Sequence, residues 1–149
     1  MDSFYVILGD DDFLVHQKSK ELFNKLAENF TDDLSRELID GRAERVEEVE
    51  SLVREVKTAG QTLSLFGAGK LIWVNQVNFL NQTKTGSAMG TKEALETLKS
   101  FFLGLGDTKL ILSACPIHRG NSFVKWLQKN SVYEDVSKKE KEELAFRRT

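Results

Sequence analysis

The sequence predicts an α/β fold of three layers: a mostly parallel, five-stranded sheet with helices on both faces. Three observations predict it. Residues 4–8 (FYVIL), 70–74 (KLIWV) and 109–113 (KLILS) are short, nearly unbroken apolar runs, the pattern of strands covered on both faces. The stretches between them carry apolar residues at helical spacing instead. Strand and helix then alternate along 149 residues, which leaves little but crossover connections and parallel pairing.

The first strand spans Phe4 to Leu8 and is closed by Gly9. Asp10 stands where a helix N-cap belongs, and a helix follows from Phe13 to about Asn29, with Val15, Leu22, Leu26 and Phe30 near one stripe. A second strand is expected over Leu34 to Ile39, ended by Asp40-Gly41. A second helix, Glu44 to about Thr58, turns Val46, Val49, Val53 and Val56 inward and is stopped by Gly60. The third strand is 70–74, and the polar stretch from Asn75 to Thr91 predicts an extended loop. A helix from Lys92 to about Leu105 shows Leu95, Leu98, Phe102 and Leu105 on one side, before the fourth strand at 109–113. Asn121 to Lys129 makes a short helix with Phe123, Val124 and Leu127 inward, and Val132 to Val136 alternates as the fifth strand. The tail from Ser137 begins another helix, as the opening of a further domain would.

Composition narrows the classes. The formal net charge of −2 argues against a general nucleic-acid binder, which wants a basic face. The single cysteine, Cys115, excludes an internal disulfide and any cysteine-rich zinc site. No apolar run approaches the ~20 residues that span a bilayer, and Met1-Asp2-Ser3 runs straight into a strand without a signal-peptide pattern. The expectation is a reducing, cytoplasmic compartment.

In open α/β sheets, ligands usually bind where strands end at their carboxyl termini. The first such end is Gly9-Asp10-Asp11-Asp12-Phe13-Leu14-Val15-His16. A phosphate-binding loop places Gly-Lys-Ser/Thr at the last three of these positions. Here they are Leu14, Val15 and His16, so the lysine for the phosphates and the hydroxyl for magnesium are both missing. Three carboxylates crowd the same helix start, where a phosphate would meet like charge. The plain structural account is that Asp10 caps the helix while Asp11 and Asp12 favour its positive end.

An alternative is a phosphoryl-receiver-like signalling domain with an acidic metal site at Asp10 to Asp12, supported loosely by Ser113-Ala114 and Lys138. It fails at the third strand, which should end on an acceptor Asp and ends on Asn75. His16 and His118 lack partners at ligand or catalytic spacing, and Cys115 fits a buried small side chain. No metal site, cofactor or catalytic constellation is expected. The segment Leu63-Ser64-Leu65-Phe66 differs in kind: apolar residues bracketed by glycines between a helix and a buried strand. Leu65 and Phe66 either tuck beneath the sheet or form an exposed anchor for a partner's pocket.

The runs YVILGDDDFLV, TLSLFGAGKLIWV with NFL after it, DTKLILSA and VYEDV resemble, in order and spacing, the delta subunit family of bacterial DNA polymerase III. The resemblance covers nearly all of residues 4–136. It implies a P-loop NTPase fold of the AAA+ type whose phosphate loop (Gly9, Asp10, Asp11, Asp12, Leu14, Val15, His16) is degenerate and binds no nucleotide. It implies that residues 1–136 form the N-terminal clamp-binding domain and that 137–149 begin a truncated, helical second domain. The clamp-binding residues would be Leu63, Ser64, Leu65 and Phe66. The implied role is a non-catalytic clamp-loader subunit that binds and helps open the beta sliding clamp, within a DNA-directed DNA polymerase (nucleotidyltransferase) holoenzyme. The implied partners are that clamp and the tau/gamma and delta prime subunits, with primer-template DNA met only through the assembly. No membrane is involved, and the fragment alone is expected to be a monomer.

Overall fold

The computed structural model describes residues 2–62 and 69–136. All five strands pair in parallel, in the order β2-β3-β4-β1-β5. They are β1 (Phe4–Gly9), β2 (Arg36–Asp40), β3 (Leu71–Val77), β4 (Lys109–Ala114) and β5 (Val132–Val136). The helices are α1 (Asp12–Ala27), α2 (Val46–Gln61), the single turn α3 (Lys84–Ser87), α4 (Met89–Leu103) and α5 (Ser122–Asn130). With β1 beside β4 and β5, the chain leaves the sheet centre after β1, returns strand by strand through β2, β3 and β4, then crosses over β1 to β5.

That path puts α1 on one face and α2, α4 and α5 on the other. Phe4, Val6 and Leu8 of β1, Ile72 and Val74 of β3, and Leu110 and Leu112 of β4 join the core beneath α2, α4 and α5. The alternate residues meet α1: Ile7 packs with Leu14 and Val15, while Leu71, Trp73 and Ile111 pack with Leu22, Phe23 and Leu26. Both faces of the central strands are covered, which is why their sequences are nearly unbroken apolar runs.

Several boundaries differ from expectation for identifiable reasons. Asp11, not Asp10, is the N-cap of α1, and its side chain accepts from the Leu14 N–H at 3.1 Å. Asp33–Ser35 form a 3₁₀ turn capped by Asp32, so β2 starts at Arg36. Helix α2 starts at Val46 because the Glu48 carboxylate reaches back to accept from the Glu44 and Arg45 N–H groups, at 3.0 and 3.1 Å. Val46 is only half-buried, while Leu52 and Ala59 join the core instead.

Gly60 does not stop α2, which runs on to Gln61. A Cβ there would lie 2.3 Å from the Phe101 ring, so this glycine lets α2 and α4 approach closely. The supposed loop from Asn75 to Thr91 is largely ordered structure. β3 continues to Val77 across a register shift, with Gln76 at φ +60°. Phe79 and Leu80 then enter the core, and α3 and α4 follow. Three apolar residues among many polar ones anchor the whole stretch.

Candidate functional site

The carboxyl edge of the sheet brings together the ends of β1, β4 and β5. Gly9 stands opposite Val136 in register, and a Cβ on it would lie 1.7 Å from the Val136 carbonyl oxygen. Beyond Gly9, the carboxylates take separate tasks. Asp11 occupies the Leu14 N–H, one of the amides at the α1 N-terminus that would otherwise face an anion. Asp12 lies in the first turn of α1.

Asp10 turns towards the β4–α5 loop. There Arg119 donates from Nη1 to Asp10 at 3.0 and 3.2 Å, and from Nε and Nη2 to Asp135 at 2.7 Å each. The doubly bonded Asp135 carboxylate, and then Asp10, push the guanidinium pKa upward. These groups are partly exposed, so their worth lies in geometry more than in stability: one side chain ties three chain segments at this edge. Sequence reasoning missed Arg119 because its partners lie 109 and 16 residues away and no local pattern joins them.

Of the remaining positions of the loop, Leu14 and Val15 face inward and His16 is exposed. Leu14 and Val15 are buried against Ile7 and Val136, and His16 stacks on Trp73 with ring centroids 5.6 Å apart. The loop carries no lysine, and Asp11 already accepts from one of the amides at the helix start. Among the described residues, no three His, Cys, Asp or Glu side chains converge as metal ligands. Asn75 lies inside β3, opposite Asp40, rather than at a strand's end.

His118 is part of the β4–α5 loop: its N–H donates to the Leu80 carbonyl at 2.8 Å and its ring lies against Gly120. Cys115 is half-buried, and desolvation first, then Asp12, Asp10 and Asp11, push its thiol up to about 11. Such a thiol is poorly nucleophilic near neutrality. Alkylation with iodoacetamide at pH 8 is therefore expected to run at least about tenfold slower in the native chain than in urea. Equal rates would overturn this account of Cys115.

The amino edge is built differently. Past α2, Thr62 closes on Thr58, its N–H and hydroxyl both donating to that carbonyl at 3.0 and 2.8 Å. On the far side Gly69 lies against the Asp107 backbone, where a Cβ would sit 2.2 Å from the carbonyl oxygen. The Lys70 N–H donates to Thr108 Oγ1 at 3.1 Å, and the Lys70 carbonyl accepts from Lys109 at 2.8 Å. The chain before the 63–68 segment thus closes on α2 itself, with Gly60 close to Phe101 of α4, and the chain after it is held by the α4–β4 connection. Leu63, Ser64, Leu65 and Phe66 themselves lie outside the described residues.

Residues 5–137 match the family model described as DNA polymerase III, delta subunit. Among solved structures, the chain is similar to the Bacillus subtilis DNA clamp loader delta protein (YqeN), with a TM-score of 0.58 and 15% identity. That likeness, which shows the fold, covers 92% of this chain and 39% of the B. subtilis chain. Comparison with curated protein sequences finds no match. The family match does not favour a phosphoryl receiver.

Proposed function

This chain belongs to the DNA polymerase III delta-subunit family, and on that premise we propose that it binds the beta sliding clamp and favours the clamp's open form. Residues 1–136 are the clamp-binding domain on this reading, and 137–149, which lie outside the described residues, begin a helical second domain. The observation that carries it is the family match, which runs through the apolar segment between α2 and β3. Leu65 and Phe66 are the anchors, with Leu63 and Ser64 leading into them. The described flanks of their segment, the end of α2 and the start of β3, lie at the sheet's amino edge, opposite the acidic loop after β1, so this reading needs nothing from that loop.

The chain itself hydrolyses nothing on this reading. The motor subunits, tau/gamma with delta prime, supply the nucleotide-driven change of shape, and the cytoplasmic assembly grips primer-template DNA. A binding domain shifts a ring between closed and open only by its differential affinity for the two states. Burying Leu65 and Phe66 in an apolar pocket contributes roughly 3–6 kcal/mol gross, at about 1.5–3 per side chain. That is a hot spot, but micromolar affinity already requires about 8 kcal/mol.

Calorimetric titration of the 149-residue chain against its cognate clamp tests the proposal. Wild type is expected to bind, with heat unchanged by millimolar ATP, and the Leu65→Ala/Phe66→Ala variant to lose binding while keeping its thermal melt. A variant that binds like wild type would overturn the assignment of the anchors.

A further inference from the structure

The sheet ends at β2, and among the described residues no strand pairs with its outer edge. In a parallel ladder the residues of a strand alternate: one turns its N–H and C=O to the neighbouring strand, and the next turns both away. The Gly41 N–H donates to the Asn75 carbonyl in β3, so Glu37 and Ile39, of the same parity, face β3 as well. Arg36, Leu38 and Asp40 therefore turn their backbone groups to the open edge. The Arg36 N–H is already given to the Asp33 carbonyl, which leaves the Arg36 carbonyl and both groups of Leu38 and Asp40. These residues also share one face of the strand, opposite Ile39, which is buried in the core beneath α2. Leu38 is 60% exposed there. Arg36 and Asp40 flank it, each paired with a residue close in sequence, Asp33 and Arg42, in exposed pairs that hold it weakly.

We propose that this edge pairs with the same edge of a second copy of the chain, antiparallel about a two-fold axis at Leu38, making one continuous sheet across a dimer. The order of the outward residues selects the occupant. Read forwards they are basic, apolar and acidic; read backwards they are acidic, apolar and basic. Antiparallel pairing therefore sets Arg36 opposite Asp40 of the second copy and Leu38 opposite Leu38, with opposite charges at both flanks. The backbone agrees in the same register, because every outward residue meets an outward residue. Leu38 exchanges both bonds with Leu38 of the second copy, and each Asp40 N–H donates to the other copy's Arg36 carbonyl. A slip by one residue would set outward groups against inward ones, and in-register parallel alignment would set like charges side by side. Edge strands are commonly protected by charges that repel further strands, whereas the charges here attract a second copy. The seam is short, so the chain is a monomer when dilute and a dimer when concentrated, with a dissociation constant on the order of 100 µM.

Sedimentation velocity of the 149-residue chain from about 10 µM to about 1 mM tests this, each protein beside a thermal melt. Wild type is expected to pass from monomer to dimer across that range. Arg36→Glu sets acid against Asp40 of the copy, and Asp40→Lys sets base against Arg36. Each variant alone is expected to associate at least about tenfold more weakly. An equimolar mixture of the two is expected to regain the wild-type dimer, because every acid in it again faces a base. Leu38→Lys sets like charges at the axis and is expected to stay monomeric. Its position is exposed, so it carries the test should either flank variant fail to fold. Wild type that stays monomeric at the highest concentration overturns the proposal. Single variants that dimerise like wild type overturn it as well, and a mixture that stays monomeric excludes the antiparallel register and the proposal with it.

Discussion

Gly9→Ala is expected to destabilise the domain by about 3 kcal/mol, at the top of the range for overfilling a packed site. The new Cβ would lie 1.7 Å from the Val136 carbonyl oxygen and 2.7 Å from its carbon. Those atoms are backbone and cannot rotate aside. Relief requires β5 to move from β1 at the register pair Gly9–Val136, one residue beyond Leu8–Asp135. The movement would also pull on Arg119, which joins Asp10 after β1 to Asp135 in β5. Urea unfolding checks this: the midpoint should fall with the slope unchanged. An unchanged midpoint would mean that the two strands can separate at no cost, against the geometry. The glycine is thus explained by strand packing alone, and its coincidence with the first position of a phosphate loop does not require a phosphate.

How much was legible beforehand depends on where each signal resided. Strands buried on both faces announce themselves through runs such as residues 4–8 and 109–113, and β5 was found at Val132–Val136 to the residue. Helix faces followed from spacing, as Leu95, Leu98 and Phe102 show. Signals that depend on distant chain were lost. Gly60 has the composition of a helix stop, but its role is set by Phe101 from another helix. The polar residues of 75–91 suggest a loop, but Asn78 and Thr85 are polar for a tertiary reason and Asn81 for a local turn. Asn78 Oδ1 accepts from the Ala43 N–H at 2.9 Å, the Asn81 side chain donates to the Asn78 carbonyl at 2.9 Å, and the Thr85 hydroxyl donates to the Glu44 carbonyl at 2.5 Å. At the carboxyl edge the absence of a phosphate-loop lysine is plain from the sequence, whereas the Asp10–Arg119–Asp135 bridge exists only once the sheet is ordered.

The second large effect lies where α1 is fastened to the sheet. Trp73 is 3% exposed and sits against His16 and Phe23, with centroids at 5.6 and 5.3 Å. Its indole N–H donates to Ser113 Oγ at 2.8 Å, Ser113 donates to Ser19 Oγ at 2.6 Å, and Ser19 donates to the Val15 carbonyl at 2.6 Å. Each hydroxyl gives one bond and takes one, so the chain crosses from β3 through β4 into α1 without an orphaned donor. Trp73→Ala is expected to cost about 3–5 kcal/mol, the range for emptying a buried aromatic site. Ser113→Ala, which strands the indole N–H in the core, should cost about 1–3 kcal/mol. Adding Trp73→Phe to Ser113→Ala removes the stranded donor, so that pair should fall short of the sum of its singles by about 1 kcal/mol. Denaturant unfolding of the four proteins measures the coupling. Strict additivity would show that the serines merely fill space, and that ring packing alone holds α1, and with it the carboxylate-filled loop at its start, against the sheet.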